Sequence, residues 1–87
     1  MKDILFDLGF DLDDLDEIIS KLEEFGKYKV ESFIGVLKNY GCTNFYIRDV
    51  IKKRLDIFIL DKDRLVYTLE AIISNGDLIE EVLLDII

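Results

Sequence analysis

Apolar residues recur at helical spacing along almost the whole chain. Between Asp11 and Phe25 they fall at every third or fourth position, which places them on one stripe of a helix. The same period predicts further helices over 27–40, after Thr43, over 62–74 and over 78–87, and a short first helix over 2–8. The residues expected to face the core are Ile4, Leu5, Leu8, Leu15, Ile18, Ile19, Leu22, Phe25, Val30, Phe33, Ile34, Leu37, Ile47, Val50, Ile51, Leu65, Leu69, Ile72, Ile73, Leu78, Ile79, Val82, Leu83, Ile86 and Ile87, and the stripe of the third segment could extend to Leu55. We therefore expect an all-α fold, a small bundle or short stack of five to six helices.

The predicted helices carry end signals of their own. Short side chains that can accept the free N–H groups of a first turn precede the apolar stripes: Asp11 or Asp13, then Thr43 and Asp61. Asp77 and Glu80 stand in a D-x-x-E pattern that is typical of a capping box. The β-prone run 57–60 has no second strand to pair with, so we interpret it as a buried turn or a short 3₁₀ link.

Three glycines divide the chain at similar intervals. Gly9, Gly41 and Gly76 each follow an apolar helix and open the next helix pair, with offsets of 32 and 35 residues. When these glycines are aligned, 15–19 lies over 47–51, and 33–37 lies near 69–73. The offsets predict stacked helix–turn–helix units, although any row of helices that end at glycine would give similar spacing.

Length and composition predict one small folded domain over 1–87. Apolar residues make up 51% of the 87 residues and charged residues 34%, so a packed core is expected. The single cysteine, Cys42, has no partner for a disulfide within the chain, and the N-terminus does not resemble a secretory signal. The longest apolar run, 57–60, is far too short to span a bilayer. We expect a cytoplasmic protein that makes no membrane contact.

The residue types present argue against catalysis. The chain has no histidine, which is the commonest general base and metal ligand, and Cys42 has no base to activate it. The acidic cluster that begins at Asp11 superficially resembles a calcium loop, but the fifth, sixth and twelfth places hold Leu15, Asp16 and Leu22. We expect no catalytic residue, no cofactor and no metal site.

Charge is distributed in three blocks that sum to −8. Residues 1–24 hold nine acids and two lysines, 25–64 hold nine bases and five acids, and the last 23 residues hold five acids and no base. Such a chain repels nucleic acid as a whole and favours basic partners. Many of the N-terminal acids are spaced to form an exposed strip beside the apolar stripe, and this strip could imitate a line of phosphates. A solvated helix start is the simpler interpretation of the same acids.

The leading hypothesis is a non-enzymatic inhibitor or regulator that occupies a basic, nucleic-acid-binding surface of a partner protein. Small acidic proteins of phages and mobile elements, anti-CRISPR proteins among them, act in this way. Aromatic side chains are enriched at interfaces, and Phe45 and Tyr46 are the expected exposed anchor. The predicted partner-binding residues are Asp7, Asp11, Asp13, Asp14, Asp16, Glu17, Glu24, Phe45 and Tyr46.

The second half of the chain resembles a known repeat family. Leu37–Thr43, Ile47–Leu55, Ile57–Leu60 and Leu65–Gly76 resemble the repeat of the mitochondrial transcription termination factor family. The resemblance implies units of about 30 residues, each with two helices and a 3₁₀ turn, stacked into a curved nucleic-acid-binding solenoid. It also implies phosphate contacts from Lys52, Lys53 and Arg54. These three bases could instead form the polar end of a helix or neutralise the acidic blocks.

A third possibility is a structural protein that associates with itself. The tail Val82–Ile87 is strongly apolar and could form the seam of a homodimer.

Overall fold

The computed structural model describes residues 1–86, which form six α-helices and two 3₁₀ turns, with no strand in that range. The helices are α1 (Lys2–Asp7), α2 (Leu12–Leu22), α3 (Lys27–Asn39), α4 (Asn44–Lys53), α5 (Lys62–Ser74) and α6 (Ile79–Ile86). The 3₁₀ turns are Glu23–Phe25 and Leu55–Ile59. The all-α prediction is confirmed, and the run 57–60 enters the second 3₁₀ turn. Ile87, predicted to face the core, lies outside the described residues.

The order of the elements repeats once along the chain. One unit consists of α2, the turn Glu23–Phe25 and α3, and the next consists of α4, the turn Leu55–Ile59 and α5. Helix α4 begins 32 residues after α2, and α5 begins 35 residues after α3. Buried positions follow the same offsets, since Leu15 corresponds to Ile47 and Ile34 to Leu69. The glycine offsets in the sequence therefore match the spacing of the helices.

A single apolar core lies between the two units. The ring of Phe58, from the second 3₁₀ turn, packs 4.9 Å from Phe33 and 5.8 Å from Phe25 between ring centroids. Burying a side chain of this size stabilises the fold by about 1.5–3 kcal/mol. The predicted inward residues that are buried are Leu5, Leu8, Leu15, Leu22, Val30, Phe33, Ile34, Leu37, Ile47, Val50, Ile51, Leu65, Leu69, Ile72, Ile79 and Leu83. Of the β-prone run, Ile57 and Phe58 are buried in the core without strand pairing, whereas Ile59 is exposed, so the predicted buried turn is buried only in part.

Three residues predicted to face the core are exposed. Ile73 is 48% exposed, and Leu78 and Ile86 are also exposed. Helix α5 packs through Leu65, Leu69 and Ile72. Ile73 lies one turn after Leu69 in the last turn of α5, where it lines an open groove and is not covered by another element. Leu78 precedes α6 and is not covered by it, and Ile86, the last residue of α6, lies beside Tyr67 and Ala71 of α5 at the surface.

The predicted capping box before α6 does not form. The helix begins at Ile79, two residues after Asp77. The backbone N–H of Asp77 donates to the carbonyl of Ile72 at 3.1 Å. The carboxylate of Glu80 accepts the backbone N–H of Thr43 at 3.0 Å. Glu80 therefore joins α6 to the start of α4 and does not cap its own helix.

Candidate protein-binding surface

The acidic cluster lies on the outer side of α2. Leu15 and Leu22 face the core, and Asp13, Asp16 and Glu17 fall on the opposite side of the helix, where they are exposed. Asp14 is half-buried at the edge of the helix. Asp11 is the N-cap residue, with extended backbone, yet its side chain makes no capping hydrogen bond.

Few of these acids have a partner within the fold. Within residues 1–86, Glu17 alone among the seven predicted acids makes an ion pair, with Lys21 at 3.2 Å. Asp14 and Glu17 line a groove of about 280 Å³ between α2 and α4, which Lys21 and Lys52 also line. The carboxylates of Asp11, Asp13 and Asp16 lie outside this groove and face solvent.

Asp7 and Glu24 lie on neighbouring elements. Asp7 ends α1, and Glu24 lies in the first 3₁₀ turn, so the predicted strip runs over three elements. Both side chains are exposed. The structure thus brings together the acids from Asp11 to Glu17 on one helix and places the other two at its two ends.

The two residues of the predicted aromatic anchor have opposite environments. Phe45 is 72% exposed, and the guanidinium of Arg48 lies 5.5 Å from the centre of its ring. Tyr46 is only 7% exposed, so its prediction as an exposed anchor is wrong. Tyr46 lies one turn before Val50, on the face of α4 that packs into the core. Burial of its unpartnered hydroxyl, with smaller contributions from Cys42 and Glu80, raises the pKa of Tyr46 to about 12.

The basic trio does not form a single free face. The guanidinium of Arg54 donates to both carboxylate oxygens of Asp56, at 3.0 and 3.1 Å, and to the carbonyl of Leu84 at 3.0 Å. This hydrogen-bonded pairing raises the pKa of Arg54 and lowers that of Asp56. Arg54 thereby joins the end of α4 to α6.

The two lysines of the trio also have contacts, and both remain exposed. Lys53 pairs with Asp49 at 3.2 Å, one turn earlier on α4. The ammonium of Lys52 lies 5.7 Å from the centre of the Phe10 ring. The exposed ion pair of Lys53 with Asp49 contributes little to stability. Lys52 and Lys53 therefore keep access to solvent, whereas Arg54 is engaged within the fold.

Arg48 has a role that sequence reasoning did not predict. Its guanidinium donates to the carbonyl of Gly9 at 3.0 Å and lies against that glycine. The side-chain amide of Asn44 donates to the carbonyl of Asp7 at 3.4 Å. These bonds fasten the α1–α2 connection to α4, and so place the acidic helix beside the basic block. A linear pattern holds no signal for a contact across 39 residues.

The apolar tail is largely used within the monomer. Helix α6 packs against α5, with Ile79 and Leu83 buried and Val82 and Leu84 half-buried. Ile86 remains exposed at the end of the described chain. The homodimer seam stays a prediction. Within Val82–Ile86, the exposed large apolar side chain that could form it is Ile86.

The remaining chemistry of the described residues is sparse. Cys42 is buried, and this burial, with a smaller contribution from Glu80, raises the pKa of its thiol to about 11. Residues 1–86 contain no group of three or more His, Cys, Asp or Glu side chains placed to hold a metal ion. Within the same range, no helix combines the length and apolar character needed to cross a bilayer.

Comparison of the chain with known protein families, with curated proteins and with solved structures finds no match.

Proposed function

We propose that this chain is a non-enzymatic, acidic protein-binding module, an inhibitor or regulator that occupies the basic, nucleic-acid-binding surface of a partner protein. The supporting observation is the density of exposed charge on α2. Five carboxylates from Asp11 to Glu17, of which only Asp14 is half-buried, lie along about 9 Å of helix axis, with an average spacing of about 2.3 Å. Double-stranded DNA carries about one charge per 1.7 Å. A groove that binds phosphates would meet on this helix about three quarters of the charge density of DNA.

The acidic cluster on α2 contains more carboxylates than the positive end of the helix dipole requires. Asp11, Asp13 and Asp14 suit the positive end of the helix dipole. Asp16 and Glu17 lie beyond the first turn, and they repel acids three or four residues earlier by about 0.2–0.5 kcal/mol per pair. This repulsion lowers the stability of the isolated helix, and binding of a basic partner would relieve it. The net charge of −8 would also speed encounter with such a partner.

Neutralising the acids on α2 tests the proposal. The test variant is Asp13→Asn/Asp16→Asn/Glu17→Gln. The matched control, Asp3→Asn/Asp63→Asn/Asp85→Asn, removes three exposed acids elsewhere and reaches the same net charge. Each protein serves as bait in a native lysate, with captured protein and captured nucleic acid both identified.

We expect the wild-type chain and the control to retain a basic nucleic-acid-binding protein free of nucleic acid, and the α2 variant to lose it. Retention should weaken as salt rises, because charge complementarity is screened. The α2 variant should unfold at the same or a higher urea concentration, since it relieves repulsion between like charges. A variant that keeps the partner would show that the acids on α2 do not bind it.

A second candidate is a nucleic-acid-binding repeat module resembling the transcription termination factors. The repeated order of helix, 3₁₀ turn and helix supports this alternative. Lys52 and Lys53 would carry the phosphate contacts, because Arg54 is engaged with Asp56 and Leu84. Direct recovery of DNA or RNA by the wild-type chain, abolished by Lys52→Glu/Lys53→Glu, would favour this candidate over the inhibitor.

A further inference from the structure

Helices α3 and α5 run in the same direction and present different chemistry at their two ends. Near their starts, Tyr28 and Lys29 of α3 line a shallow groove together with Lys62 of α5. Near their ends, the hydroxyl of Tyr40 donates to the carboxylate of Glu70. The 13 residues of α3 separate these ends by about 20 Å.

The starting end projects an aromatic ring between bases. Tyr28 is 87% exposed and stands between Lys27 and Lys29 in the first turn of α3. The ammonium of Lys29 donates to the carbonyl of Ile59 at 3.1 Å, and the side chain of Ile59 is itself exposed. Lys27 lies 4.0 Å from Glu31, a distance that leaves its ammonium free to turn to another acid. We call Lys27, Tyr28, Lys29, Ile59 and Lys62 the tyrosine end.

The opposite end holds a groove of about 420 Å³ with an apolar lining and acids around it. Ile73 and Leu78, which is 64% exposed, form its walls, with Cys42 and Ile79 beside them. Its charged lining residues are Asp77, Glu80 and Glu81, and no base among the described residues lines it. We call it the acidic groove.

Several of these charges do not serve the helices beside them, whereas Glu80 and Glu81 suit the first turn of α6. The first turn of α3 holds Lys27 and Lys29 and no acid, although acids suit the positive end of a helix dipole. The last turn of α5 holds no base, and Asp77 follows it where a cation would be favourable. The two ends are therefore complementary to each other in charge and in apolar character.

We propose that the acidic groove of one copy receives Tyr28 of a second copy, with Lys27 and Lys29 facing Asp77 and Glu81. Tyrosine buries a large area at low entropic cost and is enriched among the residues that dominate interface energies. Because each copy carries one projection and one groove at opposite ends, the contact is heterologous and extends copies in a row. The interface is small and the net charge of −8 opposes it, so association is weak and concentration-dependent.

Two single variants and their mixture test this arrangement by sedimentation equilibrium. Both Tyr28→Ser and Leu78→Ser change exposed side chains, so both should fold. We expect the average mass of the wild-type chain to rise above 10.2 kDa with concentration and each variant alone to remain a monomer. An equimolar mixture should form dimers and stop there, because one variant supplies the groove and the other supplies Tyr28. Tyr67→Ser, at a position that is 77% exposed on α5, should assemble like the wild type.

A charge pair refines the test. Lys27→Glu and Lys53→Glu each reverse one lysine in an exposed pair with an acid four residues away, so they change the net charge equally. Lys27→Glu should weaken association by several-fold more than Lys53→Glu. Equal weakening would show that total charge, and not the tyrosine end, controls association.

Three further results would overturn the proposal. The first is a wild-type chain that is monomeric at about 1 mM. The second is a mixture of the two variants that forms no dimer. The third is association that survives both changes and is lost in Ile86→Ser, which would assign the contact to the tail of α6. None of these results bears on the acids of α2, because the two surfaces share no residue.

Discussion

Replacing Gly9 by alanine should destabilise the protein by about 2–3 kcal/mol, and the structure shows two sources of the loss. Gly9 has a φ of +97°, in the region where a side chain costs about 1–2 kcal/mol. A Cβ at this position would lie 2.5 Å from Nη1 of Arg48 and 3.2 Å from its Cζ. The guanidinium must therefore move away from the Gly9 carbonyl, which loses a hydrogen bond worth about 1 kcal/mol at an exposed site.

Gly41→Ala is the matched control for the cost of placing a side chain on a backbone with positive φ. Gly41 has a φ of +88°, but a Cβ there would meet open space, so the expected loss is only about 1–2 kcal/mol. The difference between the two variants measures the Arg48 contact. A double-mutant cycle gives the same quantity, because in an Arg48→Ala background Gly9→Ala should cost no more than Gly41→Ala.

The assay is urea unfolding followed by circular dichroism, with the four single and double variants compared at one pH and salt concentration. Equal losses for Gly9→Ala and Gly41→Ala would refute the reasoning, because they would show that Arg48 does not hold the α1–α2 connection. A loss for Gly9→Ala that is undiminished in the Arg48→Ala background would point to the backbone alone.

Three further predictions concern a cap, the core and a buried thiol. Thr43→Ala removes the hydroxyl that accepts the N–H of Tyr46 at 3.1 Å and should cost about 1 kcal/mol in urea unfolding; Asp61→Ala, whose side chain makes no capping bond, should cost less. Phe58→Ala empties the centre of the core and should cost about 3–5 kcal/mol in the same assay, or prevent folding. With its pKa raised to about 11 from 9.0, Cys42 should react with iodoacetamide at pH 8 about 100-fold more slowly than a free thiol. The pKa of Cys42 is higher in the folded protein than in the unfolded chain. The contribution of the neutral thiol to the free energy of unfolding is therefore complete below pH 9 and is lost as pH rises towards 11. Urea unfolding at several pH values would show this loss.

The candidate surface was predictable where it depends on one helix. The apolar stripe of α2 and the period of 3.6 residues place Asp13, Asp16 and Glu17 on the outer face without knowledge of any other element. Phe45 and Tyr46 show the limit of such reasoning. They are adjacent in sequence and about 100° apart on α4, so the packing of α4 against the rest of the core buries one and exposes the other.

The basic trio was not predictable as a surface. Lys52, Lys53 and Arg54 are consecutive in sequence, but Arg54 is taken up by Asp56 and by the carbonyl of Leu84, 30 residues away. The same limit applies to Glu80, whose local pattern favours a cap and whose carboxylate accepts a hydrogen bond from Thr43. Charged side chains such as these bind the partner that the tertiary structure brings close to them, and the spacing of residues in the sequence does not reveal a distant partner.

The sequence by itself determined the all-α fold of five to six helices, most of their inward faces, the turn that includes Ile57, and the 32- and 35-residue spacing of the two units. These features depend on periodicity, caps and glycine stops, which act within a few residues of the chain. The tertiary structure alone decided the burial of Tyr46, the exposure of Ile73 and the contact of Arg48 with Gly9. The physical reason is that a helix limits which side chains can share a face, whereas the width of the covered face and the partners of its polar edges depend on the neighbouring helices.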